Sequence, residues 1–373
     1  MNTLTNTQTT EVVSQETEHK NIKGNHMNNI KTTNSQEKIR PVNNISNKKP
    51  LLKVGTGFSG IGAPEQGLKE MNIDYVNEFM IEIDKFSRQT YQHNHSVNNV
   101  YTDIRTINPK ELPDIDLFVF GSPCQSFSIQ GKRQGLNDTR GTLIYNGLEI
   151  IKEKQPKFFI YENVKGLVNH DKGNTFKTIL LSFEELGYNF KHKVLNTKDY
   201  GLPQNRERIF IVGTRKDIKD TFVFTEPLNI KTSINDFAIK GKDYSKYKFD
   251  SSNVISNKQT NRKKNLTVDY VVENISYQSD RKIYSSNGIS PCFRRGGSLP
   301  KLHDTRNNIF RYMTLEEMTL IQGFRNFEFP VSKTQQKYQI GNSMSVNVIK
   351  AIYKNLLTDY INAEDNYEYL KCS

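Results

Sequence analysis

Leu51-Leu52-Lys53-Val54-Gly55-Thr56-Gly57-Phe58-Ser59-Gly60-Ile61-Gly62 sets a short apolar run against a glycine-rich turn, and helix-prone text follows over 63–71. The turn carries GxGxxG at Gly55, Gly57 and Gly60, with Glu82 about twenty residues further on. Glycines let the backbone approach a ligand closely, and an acid at the end of a second strand can grip a ribose diol. By itself that pattern suits a nicotinamide dinucleotide as well as S-adenosylmethionine (AdoMet).

The alternation continues outward from the turn. After the strand 51–55 and the helix 63–71, residues 75–83 read as a strand, 85–92 as a helix and 117–120 as a buried strand. Residues 142–154 then read as a helix, 158–161 as a strand and 175–186 as a helix. This predicts an α/β, doubly wound, largely parallel sheet with ligands outside the carboxyl ends of its strands. Residues 188–195 and 208–214 read as strands with no helix between them, joined through Gly201-Leu202-Pro203. An antiparallel terminal hairpin, and so a mixed sheet, is expected there. From Thr214 to Met313 the rhythm disappears, and the text turns basic, Ser/Asn-rich and β-prone, as in Thr267-Val268-Asp269-Tyr270-Val271-Val272. A smaller β-rich domain is expected over 218–305, between a first catalytic part at 51–217 and its return at 306–373. Val346, Ile349, Ile352, Tyr353, Leu356 and Leu357 recur at helical spacing, so a C-terminal helix should pack back on the first domain. Residues 1–50 lack apolar periodicity and read as a disordered extension, with Met27 as an alternative start. A DNA-reading helix-turn-helix is the competing reading, but no amphipathic pair of helices is visible.

At 373 residues the chain can bury a substantial core. No uncharged apolar stretch approaches bilayer length, and 1–50 holds no signal-peptide core. Three cysteines, Cys124, Cys292 and Cys372, form no CxxC pair, so neither a disulfide framework nor a zinc site is expected. A reducing, cytoplasmic setting follows. The formal net charge is +12, and residues 218–310 hold sixteen Lys/Arg against nine Asp/Glu, a net +7. Such a patch suits nucleic acid, although an AT-rich genome that inflates Lys and Asn everywhere would produce the same excess.

Pro123-Cys124-Gln125 follows the apolar run 115–120 and the turn Gly121-Ser122, and Glu162-Asn163-Val164 ends the next apolar run. A thiol and a carboxylate at the ends of neighbouring strands can face one small molecule from two sides. Thiolate addition at C6 of a pyrimidine, with an acid at N3, would turn C5 into a carbon nucleophile. Cys124 must ionise to act, which a helix start or a neighbouring cation favours. A lone cysteine is more often inert, and Glu162 alone would read as a helix N-terminal carboxylate. Only the pairing makes them an acid/base and nucleophile set. Gln204-Asn205-Arg206-Glu207-Arg208 adds two arginines suited to a carbonyl oxygen or to holding Glu162, unless they are surface salt bridges. Asp103-Ile104 would suit an adenine, with carboxylate to amino group and aliphatic side chain to ring face; alone, such an Asp is usually a loop cap.

In this order the pieces resemble the DNA (cytosine-5)-methyltransferases of the bacterial and phage restriction–modification type. The match spans 51–353 with one gap, the basic middle domain. It rests on Phe58-Ser59-Gly60-Ile61-Gly62, Glu82, Asp103, Pro123-Cys124-Gln125, Arg140-Gly141-Thr142-Leu143, Glu162-Asn163-Val164 and Gln204 to Arg208. It continues through Leu315-Glu316-Glu317 and Gln322-Gly323-Phe324 to Gly341-Asn342-Ser343. Two departures stand out: Ala63-Pro64 where many members carry Gly-Phe, and Met344 where a small aliphatic is usual.

The resemblance implies a Rossmann-like AdoMet-dependent fold plus a smaller target recognition domain. Cys124 would be the nucleophile at C6, and Glu162 would hold N3 and the exocyclic amine with Asn163 supporting it. Arg208 would contact the cytosine O2, while Arg206 would steady the cluster. Phe58, Gly60, Ile61, Gly62, Glu82, Ile83, Asp103, Ile104, Gly121, Pro123 and Leu143 would form the AdoMet site, with Asn342 and Ser343 returning to its methionine end. Residues 125–142, with Gly131, Gly135 and Gly141, resemble a mobile catalytic loop closing over a flipped base. Gln130 would then lie nearest the vacated stack, with Lys132 and Arg133 on phosphates. Base readout is expected between Phe222 and Leu302, with Arg262, Lys263, Lys264, Arg294 and Arg295 positioning phosphates. The implied partner is duplex DNA, bound by a monomer at one short site, with a cognate restriction endonuclease related by function rather than contact. An RNA cytosine-5 methyltransferase of the same architecture is the nearest rival, since Cys292-Phe293 partly echoes a Cys-Phe-Thr element of that group. A catalytically idle DNA-binding regulator would have no use for the thiol, and a dehydrogenase would lack a place for its hydride acceptor.

Overall fold

The computed structural model describes residues 51–123, 143–256, 260–261, 266–272 and 280–361. Its first half alternates strand and helix: β1 (Leu52–Gly57), α1 (Ala63–Glu70), β2 (Tyr75–Ile81), α2 (Lys85–Asn94), β3 (Asn99–Tyr101), β4 (Leu117–Phe120) and α3 (Leu143–Lys154). It continues with β5 (Phe158–Val164), α4 (Asn174–Glu185), β6 (Tyr188–Asn196), β7 (Gln204–Asn205) and β8 (Glu207–Arg215). Seven of these strands form one sheet in the order β3-β2-β1-β4-β5-β8-β6. Pairing is parallel from β3 through β5, whereas β8 runs antiparallel to both β5 and β6. This is the expected mixed Rossmann-like sheet.

Side-chain alternation explains the two-sided burial. In β4, Leu117 and Val119 join one apolar cluster, and Phe118 and Phe120 join the other. The first cluster packs β1, β4 and β5 against α1 and a C-terminal helix, α7 (Val346–Leu356). The second packs the opposite face against α3 and α4. All four β4 side chains are almost fully buried, each contributing roughly 1.5–3 kcal/mol of hydrophobic stabilisation. Chain order reverses between β1 and β4, which creates a crevice at their carboxyl ends.

Strand ends differ from the sequence reading in one consequential way. The sequence pattern ends the fifth strand at Tyr161, but β5 runs to Val164 because β8 supplies partners, with Glu162 opposite Phe210 and Val164 opposite Arg208. Glu162 and Asn163 therefore sit on a paired, rigid strand rather than in a loop.

The remaining strands are β9 (Val254–Ser256), β10 (Thr260–Asn261), β11 (Leu266–Val272), β12 (Lys282–Ser285), β13 (Ser290–Pro291), β14 (Lys301–Asp304) and β15 (Ile309–Tyr312). A second sheet takes the order β10-β11-β12-β14-β15, with β9 also paired to β11. β13 instead pairs with β7, tying this region to the strand that precedes β8. Two helices absent from the sequence reading, α5 (Leu315–Gln322) and α6 (Lys333–Asn342), supply Met318, Ile321 and Ile340 to the core that also holds Val268, Tyr284 and Leu302. Lys333-Thr334-Gln335-Gln336-Lys337 is too polar to show an apolar stripe, which is why α6 was not legible. Among the described residues no helix is long and apolar enough to cross a membrane, and no group of three or more His, Cys, Asp or Glu could hold a metal.

Candidate active site

The glycine turn lies at the carboxyl end of β1. Phe58 and Gly60 take positive φ values of 55° and 56°, and Gly62 takes 85° as the N-cap of α1. A Cβ at Gly62 would stand 2.4 Å from the His95 ring, so geometry and space both demand glycine. Nothing lies within 4 Å of a Cβ built on Gly60, so the turn faces open space. The Ser59 hydroxyl pins it to β2 by accepting from the Ile81 N–H and donating to the Ile81 carbonyl.

Glu82 stands across this turn. Its carboxylate accepts from the amides of Gly60 at 2.9 Å and Asp84 at 2.8 Å. Burial raises its pKa above the usual carboxylate range, partly offset by those two amides. Ile83 is 66 % exposed, an unusual apolar surface that a planar ring could cover. Ile104 is buried, and partly buried Phe58 and Leu143 pack on the same apolar cluster. Asp103 caps a short 3-10 turn, and its carboxylate grips Arg105, whose hydrogen bonds hold its pKa down. Ile61 is buried beside Ala63 and Phe324.

Beside β1 in the sheet, the carboxyl ends of β4 and β5 meet the amino end of β8. Arg208 Nε lies 3.1 Å from Glu162 Oε1, with both side chains mostly buried. A Cβ at Gly121 would lie 3.2 Å from Glu162 Oε2 and 3.3 Å from Met344 Cε, so this glycine gives the carboxylate its place beside β4. Asn163 Nδ2 donates to the Ser122 carbonyl and to the Tyr161 hydroxyl, and its Oδ1 accepts from the Val164 amide. The carboxylate-bearing strand is thereby laced to the turn Gly121-Ser122-Pro123, which leads directly into Cys124.

Arg206 points elsewhere. It is 2 % exposed and donates to the carbonyls of Phe293, Gly341 and Ser343 and to the Cys292 thiol. Burial, and then the neighbouring Arg208 charge, lower its pKa to about 10, so it remains a cation at neutral pH. Gly341 belongs to this junction: a Cβ there would stand 2.6 Å from the Arg294 backbone. The sequence reading quoted Gln322 and Gln204 within its motifs but gave neither a role. Gln204 Nε2 donates to Gln322 Oε1, and Gln322 Nε2 donates to the Ser343 carbonyl. Ser343 is buried, its carbonyl shared by Arg206 and Gln322, whereas Asn342 is exposed. Arg294 and Arg295 are exposed beside this junction. Cys124, Gln130, Lys132, Arg133, Arg262, Lys263 and Lys264 lie outside the described residues.

A glycine crevice at the switch point of a doubly wound sheet, an acid across it, and a carboxylate–guanidinium pair one strand away define a Rossmann-like group-transfer enzyme. The C-5 cytosine-specific DNA methylase family model matches residues 52–358. The type II methyltransferase M.NgoBI of Neisseria gonorrhoeae is 40 % identical over 299 residues, covering 80 % of this chain and 90 % of that protein. The type II methyltransferase M.SsoII of Shigella sonnei is 38 % identical over 312 residues, covering 81 % and 79 %. In fold, the crystal structure of S. pombe Dnmt2 methyltransferase superposes with a TM-score of 0.63 at 22 % identity, covering 82 % of this chain and 98 % of that one. The chain belongs to the C-5 cytosine-specific DNA methylase family, and it is a DNA (cytosine-5)-methyltransferase.

Proposed function

We propose that this enzyme methylates C5 of a cytosine flipped out of a short specific duplex sequence, through a covalent bond between Cys124 and C6. The observation that carries this is the Glu162–Arg208 pair, held beside Gly121 at the mouth of the turn leading to Cys124.

The residues present fit AdoMet. The strained turn leaves open space at Gly60, Glu82 offers a carboxylate for ribose hydroxyls, and Ile83, Ile104, Phe58 and Leu143 offer apolar surface for the adenine. Gly121, Pro123, Asn342 and Ser343 would line the methionine end, and the Asp103 carboxylate would accept from the adenine amine. Bound there, AdoMet supplies an electrophilic methyl group.

The chain's own groups do the rest. Cys124 as thiolate adds to C6 while Glu162, acting as the acid, gives its proton to N3 and accepts from the exocyclic amine, so negative charge does not build up on the ring. Arg208, already on Glu162, takes the O2 side, and a guanidinium at that distance favours the planar alignment a pyrimidine needs. Asn163 and Arg206 position the two strands rather than touch the base. Once C5 carries its methyl group, water at the site takes the C5 proton, the C6–S bond breaks with its electron pair returning to Cys124, and N3 gives its proton back to Glu162, which restores the aromatic ring. Residues 125–142 would close over the base, with Gln130 nearest the vacated stack and Lys132 and Arg133 on phosphates. Residues 218–305 would recognise the target. Arg262, Lys263, Lys264 and Arg295 would contact phosphates. The enzyme would act as a monomer in the cytoplasm, protecting DNA from a cognate restriction endonuclease, in a cell or a phage.

The test combines Cys124→Ser with a duplex carrying 5-fluorocytosine at the target. We expect the serine variant to lose methylation of duplex DNA and the parent enzyme to form a denaturant-resistant adduct with the fluorinated duplex. Full activity in the serine variant would remove Cys124 from the mechanism.

A further inference from the structure

The glycine turn is open at Gly60 and filled at Gly62, and what fills it is a histidine. His95 is the C-cap of α2 and is 5 % exposed. The ring edge carrying Cδ2 and Nε2 would stand 2.4 and 2.6 Å from a Cβ on Gly62. Tyr91 forms an edge-to-face pair with this ring at 5.2 Å between centroids, and the Phe327 ring lies 5.9 Å away. A side chain wedged between two aromatic rings and a backbone turn has little freedom to move.

For a packing role alone, the ring is needlessly polar. Both its nitrogens are buried, and neither has a hydrogen-bond partner among the described residues. Burial, and then the Lys69 charge, lower its pKa to about 4, so at neutral pH the ring is uncharged and carries one N–H. A buried donor left without an acceptor is costly, and an apolar side chain of similar size would avoid that cost. The Ile61 carbonyl, in the turn itself, acts on the ring by favouring its charged form, yet no hydrogen bond between them is complete. That carbonyl lies outside the helical ladder: Gly62, as N-cap, is the first residue of α1 to take an amide, that of Gln66. A donor on α2 and an acceptor in the turn are thus neighbours, and a small shift of the turn toward α2 joins them.

We propose that His95 is a positioning residue for the cofactor: its ring N–H takes the Ile61 carbonyl as the turn closes on AdoMet, and that bond holds the turn closed. This rests on the proposed AdoMet site and adds to it a residue of α2 that acts through the backbone of the turn.

The experiment uses the full chain, with AdoMet binding followed by calorimetry. His95→Leu fills a similar volume with no polar atom. It should weaken AdoMet binding roughly 3- to 10-fold, raise KM for AdoMet in proportion and leave kcat at saturating AdoMet unchanged. Its urea midpoint should equal or exceed that of the parent, because the unpartnered nitrogens are gone. His95→Gln restores an N–H donor and should recover part of the affinity. In parent enzyme labelled at the histidine ring nitrogens, AdoMet should shift the resonance that both variants lack, and this measurement carries the test if the leucine variant unfolds. A resonance indifferent to AdoMet, or unchanged affinity in the leucine variant, would overturn the proposal. Affinity and urea midpoint falling together would overturn it as well, by marking the ring as packing alone. If the parent itself binds no AdoMet, the cofactor site of the proposed function fails, and this reading with it.

Discussion

Glu65 shows what a single buried group does to the cofactor side of the molecule. It lies in the first turn of α1, is fully buried, and accepts from the Tyr91 hydroxyl at 2.6 Å through Oε1, while Oε2 has no partner among the described residues. Burial raises its pKa from 4.5 to about 6, against the Tyr91 hydrogen bond. A carboxyl whose folded pKa is raised contributes stability below its unfolded pKa and loses it as pH rises through the folded one. The window here is about 4.5 to 6, and the ionised form costs about 2 kcal/mol above it. Glu65→Gln keeps an acceptor for Tyr91 and removes the charge. Its stability advantage, measured by urea unfolding, should be absent near pH 4.5 and approach that figure at pH 8; parallel profiles would show that Glu65 is not the titrating group. Neighbouring His95 is held neutral by burial, its pKa lowered to about 4, and is common to both proteins. None of this was legible in the sequence. Gly60 and Gly62 announce themselves because their backbone angles demand glycine, and Glu82 because it falls in the register the glycine pattern sets. The Glu65–Tyr91–His95 cluster exists only once α1 and α2 close on each other, and nothing in its spacing marks it.

At the level of elements, periodicity located the alternating half well, because β1, β4 and β5 are buried on both faces and read as continuous apolar runs. It did not reveal how the second sheet is fastened to α5. That fastening is a buried ion network. Arg311 Nε lies 2.6 Å from Asp304 Oδ2 and its Nη2 lies 2.8 Å from Glu317 Oε1, with all three side chains nearly inaccessible. The guanidinium also stacks 3.9 Å from the Tyr244 ring, and Glu317 closes the capping box of α5 with Thr314. Asp304 is on β14, Arg311 on β15 and Glu317 on α5, so one cation fixes three elements. Removing it strands two buried carboxylates. Arg311→Met should therefore destabilise the protein by about 3–5 kcal/mol. Adding Asp304→Asn and Glu317→Gln should recover a large part of that loss, since the stranded charge rather than the missing contact dominates. Denaturant midpoints of the single and triple variants measure it, and equal midpoints would assign the loss to packing instead.

Over the whole molecule, the net charge of +12 sets how the enzyme meets its substrate, and residues 218–310 carry +7 of it. The sequence showed this excess but not its placement, because charge counts carry no direction. The fold supplies part of the direction: the second sheet is tied through β13 and β7 to the strand preceding Arg208, so the most basic region borders the site. An acidic partner neutralises one cation there, as Glu316 does for Lys242. Duplex DNA bound across this region would release condensed counterions, one for each phosphate neutralised. With six or more such contacts, affinity for a non-cognate duplex should fall by about a thousandfold or more between 50 and 200 mM salt. Fluorescence anisotropy with a labelled duplex lacking the target gives the slope directly. A flat slope would mean that the positive charge is spread over faces the DNA never reaches, and that the excess reflects composition rather than binding.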